Sequence, residues 1–386
     1  MNFDLDDSTE SFREEVVAFL DKHVTAETRQ RARRTGTRHD WDLHRALAER
    51  GWLGAGWPVE YGGQGRDPLE MGVLRDEMKR RHAPVDGMGI TLMVSHVILH
   101  AGTDAMKQEI IPKALNGELL ICLGYTEPQG GSDVAGARTS AVRDGESWVI
   151  NGQKMFTTLA HESDYVFLLT RTDTDVPKHR GLTMFLVPLD TPGVEIHPVH
   201  TIGGVRTNAT FYTDVVVPDS ARVGEVNEGW SVMLLALTYE RSSGGEDGAL
   251  LEAAVRAART VADVDGGCLL DDVTVRERLA RVAIEREVAK LLGRRSQWIE
   301  AQGGVPSIEG SMHKLFSDET TVRAASDLID IFGSDGALEI DEEDAPAGGD
   351  FAEEFRHSIV LPIYGGSSEV QRRIIAERHL GLPRGQ

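Results

Sequence analysis

The spacing of apolar residues predicts helices in the first part of the chain. Up to about Leu120 they recur at steps of three and four residues, as in Ser11 to Lys22 and Trp41 to Arg50, which is typical of amphipathic helices. The turn-rich segment Gly56 to Gly65, GWPVEYGGQG, interrupts this pattern. We therefore expect an α-helical amino-terminal region over residues 1–120.

The pattern changes to that of strands between Ile121 and about Val226. Asn151-Gly152, which follows Trp148, is a favoured two-residue hairpin turn and predicts a strand end there. Further strands are predicted over Tyr165 to Arg171, Leu182 to Leu189 and Thr210 to Val217. We expect a middle β domain over residues 121–228.

Helical patterns return at Trp230 and continue almost to the end of the chain. The predicted helices are Gly248 to Val264, Val273 to Gln302, Ser311 to Ile331 and, last, Ser367 to His379. The acidic segment Asp335 to Asp350, which contains glycine and proline, is predicted to be a loop. A helical bundle over residues 229–386 completes an α+β protein with the order α, β, α.

The composition of the chain limits which classes of partner and which cellular compartment we expect. The net charge of −21 repels nucleic acid and anionic membranes, so an anionic ligand would need a local basic pocket. The acidic amino end does not resemble a signal peptide, and the apolar run Ile90 to Ala101 is too short to span a bilayer. With two cysteines in 386 residues, we expect a cytoplasmic protein without a disulfide framework.

The segment Tyr125 to Asp133, YTEPQGGSD, carries candidate ligand-binding chemistry. Thr126 offers a hydroxyl, and Gly130-Gly131 allows backbone N–H groups to approach a ligand closely. A surface turn after a strand is the alternative interpretation. The segment Trp148 to Thr158, WVINGQKMFTT, follows it.

Together with WPVEYGGQG and the ending PIYGGSSEVQRRIIAERHLGLPR, these motifs resemble the acyl-CoA dehydrogenase family over essentially the full chain. The resemblance implies an amino-terminal helical domain, a β-barrel-like middle domain and a carboxyl-terminal four-helix bundle. It also implies FAD as cofactor, an acyl-CoA thioester as substrate and an electron-transfer flavoprotein as electron acceptor.

The resemblance implies which residues contact the cofactor and which contact the substrate. Tyr125, Thr126 and Thr158 would hydrogen-bond the isoalloxazine ring, and Phe156 would pack on it, although Phe156 as a core aromatic is the alternative. The full set of expected cofactor residues is Leu123, Tyr125, Thr126, Ser132, Phe156, Thr158, Ser367 and Glu369. The expected substrate residues are Ser132, Tyr239, Arg241, Gly365 and Gly366.

The catalytic base is predicted to be Glu240. Many family members carry a glutamate after the tyrosine near the carboxyl end, but here Gly365 follows Tyr364 and leaves only a backbone N–H to polarise the thioester carbonyl. A second family position for the base is a Glu-Arg pair, found here as Glu240-Arg241.

Helical spacing supports this choice. Trp230, Met233, Leu234 and Leu237 form an apolar stripe that continues to residue 240, and an apolar setting would raise the proton affinity of a carboxylate there. An ordinary surface pair of Glu and Arg is the alternative.

Two family motifs on the pyrophosphate side of the flavin are altered. An Arg-x-x-Phe-Gly motif is not found, and a Gln-Ile-Phe-Gly-Gly motif is changed to Asp330-Ile331-Phe332-Gly333-Ser334. A homologous partner subunit would then complete the cofactor site. The stretch KHRGLTMFLVPLDTPGVEIHPVHTIGG is similar to base-bearing subunits of α2β2 acyl-CoA dehydrogenases of bacterial steroid side-chain degradation.

Two other functions remain open at this point: a flavin oxidase or monooxygenase on the same fold, and a non-catalytic scaffold subunit. The histidines, His96 among them, lack metal-ligand spacing and are expected to be packing or surface groups, so no metal is expected. The basic run Arg29 to Arg34 could receive CoA phosphates, but a solvated helix face is the expectation.

Overall fold

The computed structural model describes residues 6–242, 249–261, 266–302, 304, 308–340 and 342–383; the side chains of residues 238–242, 300 and 301 are not described. Six helices come first. They are α1 (Asp7–His23), α2 (Ala26–Thr35), α3 (Trp41–Glu49), α4 (Pro68–Arg80), α5 (Asp86–Ala101) and α6 (Asp104–Leu115). This confirms the helical prediction for this region.

Aspartates set the starts of three of these helices. Asp6 accepts a hydrogen bond from Thr9 N at 2.8 Å, so α1 begins four residues before the predicted Ser11. Asp40 caps α3 in the same way, and Asp67 forms a capping box with Glu70 at the start of α4. Local capping chemistry therefore fixes the ends that the apolar spacing left undefined.

The core has a continuous centre around α5. Val94, Val97 and Ile98 of this helix are fully buried, in the same cluster as Phe167 of the middle domain and Ala236 of the carboxyl-terminal domain. A second cluster lies under α1 and α3 and includes Phe12, Leu47 and Trp52. Because α5 contacts all three regions, it fixes their relative positions.

Strands fill the segment from residue 121 to residue 223. They are β1 (Ile121–Gly124), β2 (Ser140–Asp144), β3 (Ser147–Lys154), β4 (Tyr165–Arg171), β5 (Leu182–Pro188), β6 (Val194–His200), β7 (Arg206–Pro218) and β8 (Arg222–Val223). The sheet order is β6-β7-β3-β2-β4-β5-β8, with β1 parallel to β4. The predicted strands at β4, β5 and β7 are confirmed.

The predicted hairpin turn at Asn151-Gly152 is wrong. Strand β3 runs through both residues, and the β2–β3 turn lies at Gly145 and Glu146. Asn151 bonds the backbone and side chain of Asp214 across the sheet, where the register shifts. Gly152 has φ +145°, and a Cβ there would come 2.7 Å from Thr139 Cα. The dipeptide forms a bulge because cross-strand bonding satisfies it within the ladder.

Six described helices follow the sheet. They are α7 (Gly229–Ser242), α8 (Ala249–Thr260), α9 (Val273–Ala301), α10 (Glu309–Phe332), α11 (Asp350–Ser358) and α12 (Ser368–Arg378). Sequence patterns anticipated these helices except α11, and in the middle domain they did not single out the strands β1, β2, β6 and β8. Strand β6 is largely exposed, and Pro198 interrupts the short alternation of Val194 and Ile196, so its sequence signal is weak.

The buried face of α7 differs from the predicted stripe. Val232, Met233 and Ala236 are buried, whereas Leu234 is 36% exposed. The apolar face is therefore rotated by about one residue, and helical geometry still places position 240 in line with Met233 and Ala236. In the described part of the chain, no helix is long and apolar enough to cross a membrane.

Candidate active site

A buried ion pair joins the two motifs of the middle domain. Lys154, at the end of β3, donates from Nζ to Glu127 Oε1 at 2.8 Å and to the Tyr125 carbonyl at 3.2 Å. Glu127 also accepts from the backbone N–H groups of Arg138 and Thr139, both at 2.8 Å. The pair holds the segment from Tyr125 to Glu127 against the end of β3, and sequence reasoning missed it.

Electrostatics keep this pair ionised at neutral pH. Burial lowers the pKa of Lys154 to about 8, although the Glu127 charge opposes the shift. Burial would raise the pKa of Glu127, but the Lys154 charge and the hydrogen bonds outweigh it and lower that pKa. Because the two side chains are 0% and 4% exposed, the pair acts as an internal clamp.

Two residues after Lys154 lies an aromatic residue that is both strained and exposed. Phe156 has φ +59° and is 58% exposed, so it is not the core aromatic of the alternative interpretation. Left-handed backbone at a bulky residue is unfavourable and is concentrated at functional sites. Asn208 holds the next residue, since Thr157 N donates to the Asn208 carbonyl and Asn208 Nδ2 donates to the Thr157 carbonyl.

Most of the predicted ring-binding residues lie around this point. Met155 N donates to the Thr126 carbonyl at 2.8 Å, which places Thr126 beside Phe156. The Thr158 hydroxyl is 3.0 Å from that of Thr207. Leu123, Tyr125, Thr126 and Thr158 are half-buried, and Ser132 is exposed. The arrangement presents hydroxyls and one aromatic face on a rigid edge, which suits a planar heteroaromatic ring such as isoalloxazine.

The carboxyl-terminal motif forms a second group at a glycine turn. Gly365 and Gly366 have φ +63° and +93°, a backbone that other residues rarely adopt. Ser367 caps α12, and Glu369 is exposed in the first turn of that helix. Among the contacts of the described residues, none directly joins this turn to Phe156 or Thr158.

The turn borders a cavity of about 620 Å³ between the amino-terminal helices and α10 and α11. Tyr364 and Gly365 line it, with Met88 and Gly89 from α5 and Leu250 from α8. Its wall also carries seven basic side chains and five carboxylates. These are Arg29, Arg33, Arg38, Arg75, Lys79, Arg286 and Lys314, and Asp86, Asp318, Asp350, Glu353 and Glu354. The cavity is therefore polar and slightly basic in a strongly acidic protein.

Two cavity features were not anticipated. Arg33 pairs with Asp350 and Glu353 of α11 and is only 18% exposed, so the expectation of a solvated face is wrong for this residue. Asp86, at the start of α5, is exposed and lines the cavity, so it adds a carboxylate to the cavity wall that the sequence did not indicate. His96, in contrast, stacks on Trp57 at 4.0 Å, which confirms a packing role.

The predicted base lies at the end of α7. The backbone of residues 239–241 is helical, but the side chains of Tyr239, Glu240 and Arg241 lie outside the described part of the structure. Position 240 is one turn beyond Ala236, which is fully buried against α5 and the sheet. The role of Glu240 stays a prediction.

Comparison with known proteins decides the family. Three models match in order: the amino-terminal domain of acyl-CoA dehydrogenases over residues 6–118, the middle domain over 122–215 and the carboxyl-terminal domain over 227–380. The chain belongs to the acyl-CoA dehydrogenase family. It is an oxidoreductase that dehydrogenates acyl-CoA thioesters, and its α+β fold is the one predicted.

This acyl-CoA dehydrogenase is similar to other bacterial members of the family and to a structure described as a steroid ACAD. Acyl-CoA dehydrogenase FadE26 of Mycobacterium tuberculosis is 39% identical, with 86% of each chain covered. The structure described as the Tcur3481-Tcur3483 steroid ACAD matches with a TM-score of 0.92 and 33% identity, covering both chains fully. The ChsE4-ChsE5 complex from M. tuberculosis matches with a TM-score of 0.90 and 36% identity, again over all of both chains.

The expected pyrophosphate side of this dehydrogenase is acidic and internally paired. Asp330 is 71% exposed and lies 3.1 Å from Arg278, which also bonds Asp327 at 2.8 Å. Burial opposes ionisation of Asp327, but bonds from Arg281 and Arg278 outweigh it and lower its pKa. Arg278 is thus already neutralised by Asp327 and Asp330, so this segment suits an anionic pyrophosphate poorly. The residues around Phe156, in contrast, suit the isoalloxazine ring.

Proposed function

We propose that this chain is the base-bearing subunit of an FAD-dependent acyl-CoA dehydrogenase. The main support for this proposal is the Lys154–Glu127 clamp, next to which Phe156 is exposed in a strained conformation beside Thr126 and Thr158. A rigid aromatic face bordered by hydroxyls is what an isoalloxazine ring requires, and the chain itself gains nothing evident from exposing Phe156.

The chain supplies two further groups for the reaction. Glu240, which lies one helical turn beyond the buried Ala236 in α7, removes the α-proton of the acyl thioester as general base. The backbone N–H of Gly365 polarises the thioester carbonyl as charge develops on its oxygen. FAD, when bound, supplies the acceptor for the β-hydride, and an electron-transfer flavoprotein takes the electrons onward. Tyr239, Arg241, Ser132 and Gly366 would contact the substrate, and Leu123, Ser367 and Glu369 the cofactor.

A homologous partner subunit would complete the cofactor site in an α2β2 assembly. Asp330 and the neutralised Arg278 make the pyrophosphate side of this chain unfavourable for an anion. Two of the similar structures are named as pairs of proteins, Tcur3481-Tcur3483 and ChsE4-ChsE5. A second subunit with basic residues at this side would remove the repulsion.

The substrate we propose is a steroid side-chain or branched acyl-CoA. Gly365 leaves space beside the thioester that a glutamate would fill, and the cavity next to it holds about 620 Å³. Its charged wall favours an acyl group that carries oxygen atoms over a plain hydrocarbon chain. A relative described as a steroid enzyme supports the same substrate class.

Co-purification with a candidate homologous subunit tests this function. The lone chain and the complex are compared for FAD content and for anaerobic flavin reduction by straight, branched and steroid-bearing acyl-CoAs. We expect low FAD content alone, full content in the complex and fastest reduction by the steroid or branched thioesters. Full occupancy of the lone chain would contradict the heteromer, and reduction by none of the thioesters would contradict the dehydrogenase and favour a scaffold.

A further inference from the structure

One buried amide holds the glycine turn that borders the cavity. Gln371 of α12 is 0% exposed, and its Nε2 donates to the carbonyls of Gly365 at 3.3 Å and Gly366 at 2.9 Å. Its Oε1 is buried without a hydrogen-bond partner among the described residues. Rotating the amide would aim Oε1 at two carbonyl oxygens, so the donor orientation is the attractive one.

The two hydrogen bonds from Gln371 fix the direction of two backbone N–H groups in the turn. In a trans peptide the C=O and N–H point in opposite directions, so carbonyls drawn toward Gln371 turn the N–H groups of Gly366 and Ser367 away from it. Tyr364 and Gly365 line the cavity, whereas Gln371 does not. Among the described residues, none accepts a hydrogen bond from the N–H of Gly365, Gly366 or Ser367.

A pair of glycines would not hold this shape unaided. Glycine adopts both signs of φ with little preference, so the turn can change shape at small energetic cost. An oxyanion donor is effective only when it lies within hydrogen-bond distance of the developing charge before the reaction begins. Two hydrogen bonds from one fully buried side chain remove most of that freedom.

We propose that Gln371 is a positioning residue for dehydrogenation, which binds the Gly365 and Gly366 carbonyls and so holds the turn in the shape that presents the Gly365 N–H to the thioester carbonyl. The inference rests on the proposed function. Gln371 acts without touching the substrate, through the two carbonyls that it binds. Loss of its donor atoms is therefore expected to weaken polarisation of the substrate carbonyl and slow proton abstraction, and to leave cofactor binding intact.

Carbonyl infrared spectroscopy reports the geometry directly. The enoyl-CoA product of the thioester that reduces the flavin fastest, labelled with ¹³C at its carbonyl, is added to the flavin-loaded enzyme, with its partner subunit where one is needed. Gln371→Met keeps the side-chain length but removes the donor, and Gln371→Glu can donate one hydrogen bond when protonated. Arg373→Gln is the matched control, since Arg373 is a 62% exposed residue of the same helix.

We expect the wild-type enzyme and Arg373→Gln to lower the carbonyl frequency of the bound thioester equally. The shift should shrink in Gln371→Glu and shrink further in Gln371→Met, with flavin reduction about 10- to 100-fold slower and FAD content unchanged. If Gln371→Met is unstable, the Gln371→Glu spectrum alone decides. A full shift in a folded Gln371 variant would overturn the inference, whereas no shift in the wild-type enzyme would contradict the proposed function.

Discussion

Phe156 shows how one residue can be held in an unfavourable state by its neighbours. Its φ of +59° is stabilised by the bonds between Thr157 and Asn208, while most of its ring remains in solvent. Backbone strain of this kind typically costs about 1–3 kcal/mol. We expect that cost to be offset when a flavin ring covers the side chain.

Replacing Phe156 by glycine should separate strain from binding. Phe156→Gly relieves the left-handed backbone, so the flavin-free protein should be as stable as wild type or up to about 1 kcal/mol more stable in urea unfolding. FAD affinity should nevertheless fall. Phe156→Trp, which keeps both the strain and the aromatic face, is the control and should retain the flavin. Unchanged FAD affinity in Phe156→Gly would show that the residue does not contact the cofactor.

Sequence reasoning reached Phe156 and Thr158 through a motif but could not reach the clamp beneath them. Lys154 lies within the same motif, and nothing near it in sequence indicates that its partner is Glu127 of the other motif, because the pairing depends on how β3 passes that segment. Asp86 was missed for a similar reason, since a carboxylate at a helix start usually caps the helix. Contacts between residues of different helices and strands can be identified only once the fold is known.

Elements are fixed here by a few buried polar contacts, and the end of β3 is the clearest example. Lys154→Met would leave the Glu127 carboxylate buried without its cationic partner, with only the backbone N–H groups of Arg138 and Thr139 and the Gln129 amide as donors. The unfolding free energy should fall by about 3 kcal/mol or more, because an unpaired buried charge is strongly destabilising. Lys113→Met is the control: its pair with Glu109 is exposed, and its loss should cost about 0–1 kcal/mol. Equal losses in urea unfolding would mean that the clamp is not ionised.

The start of α3 contains a buried histidine pair that should make stability pH-dependent. Burial lowers the pKa of His39 to about 3 and of His44 to about 4, and His44 has no hydrogen-bond partner among the described residues. Because these folded values lie below the ordinary 6.5, the unfolded chain binds more protons from about pH 6.5 down to about 4. Stability should therefore fall as the pH falls through that window.

His44→Phe removes one of these protonation sites and keeps the edge-on contacts with Trp41 and His39. At pH 5 the variant should be about 1–2 kcal/mol more stable relative to wild type than it is at pH 8. His197→Gln, at an exposed position on β6, should leave the pH profile unchanged. A His44→Phe profile parallel to that of wild type would contradict the assignment.

At the scale of the whole molecule, the two sides of the expected cofactor site differ in charge and in completeness. The ring side is built within the middle domain, whereas Asp330 and Asp327 neutralise Arg278 on the other side. The three-domain order followed directly from the apolar periodicity. The bulge at Gly152 and the helix α11 did not, because they depend on bonding across the sheet and on packing against Arg33.

Asp330→Gln should partly restore FAD binding to the lone chain. The change removes an anion and frees Arg278 from one of its two carboxylates, so retention of FAD should rise about fivefold, equivalent to roughly 1 kcal/mol. Asp335→Asn, in the following turn, is the control and should have no effect. No gain in Asp330→Gln would indicate that this segment does not face the pyrophosphate.

In the proposed function, this chain carries the catalytic base at Glu240. The direct measurement is stopped-flow reduction of the bound flavin by an acyl-CoA without oxygen, with wild-type enzyme, Glu240→Gln and, as control, Glu228→Gln at the exposed start of the same helix. We predict that Glu240→Gln binds FAD normally and reduces it about 100- to 10,000-fold more slowly, while Glu228→Gln matches wild type. Reduction at the wild-type rate in a flavin-loaded Glu240→Gln enzyme would contradict the account.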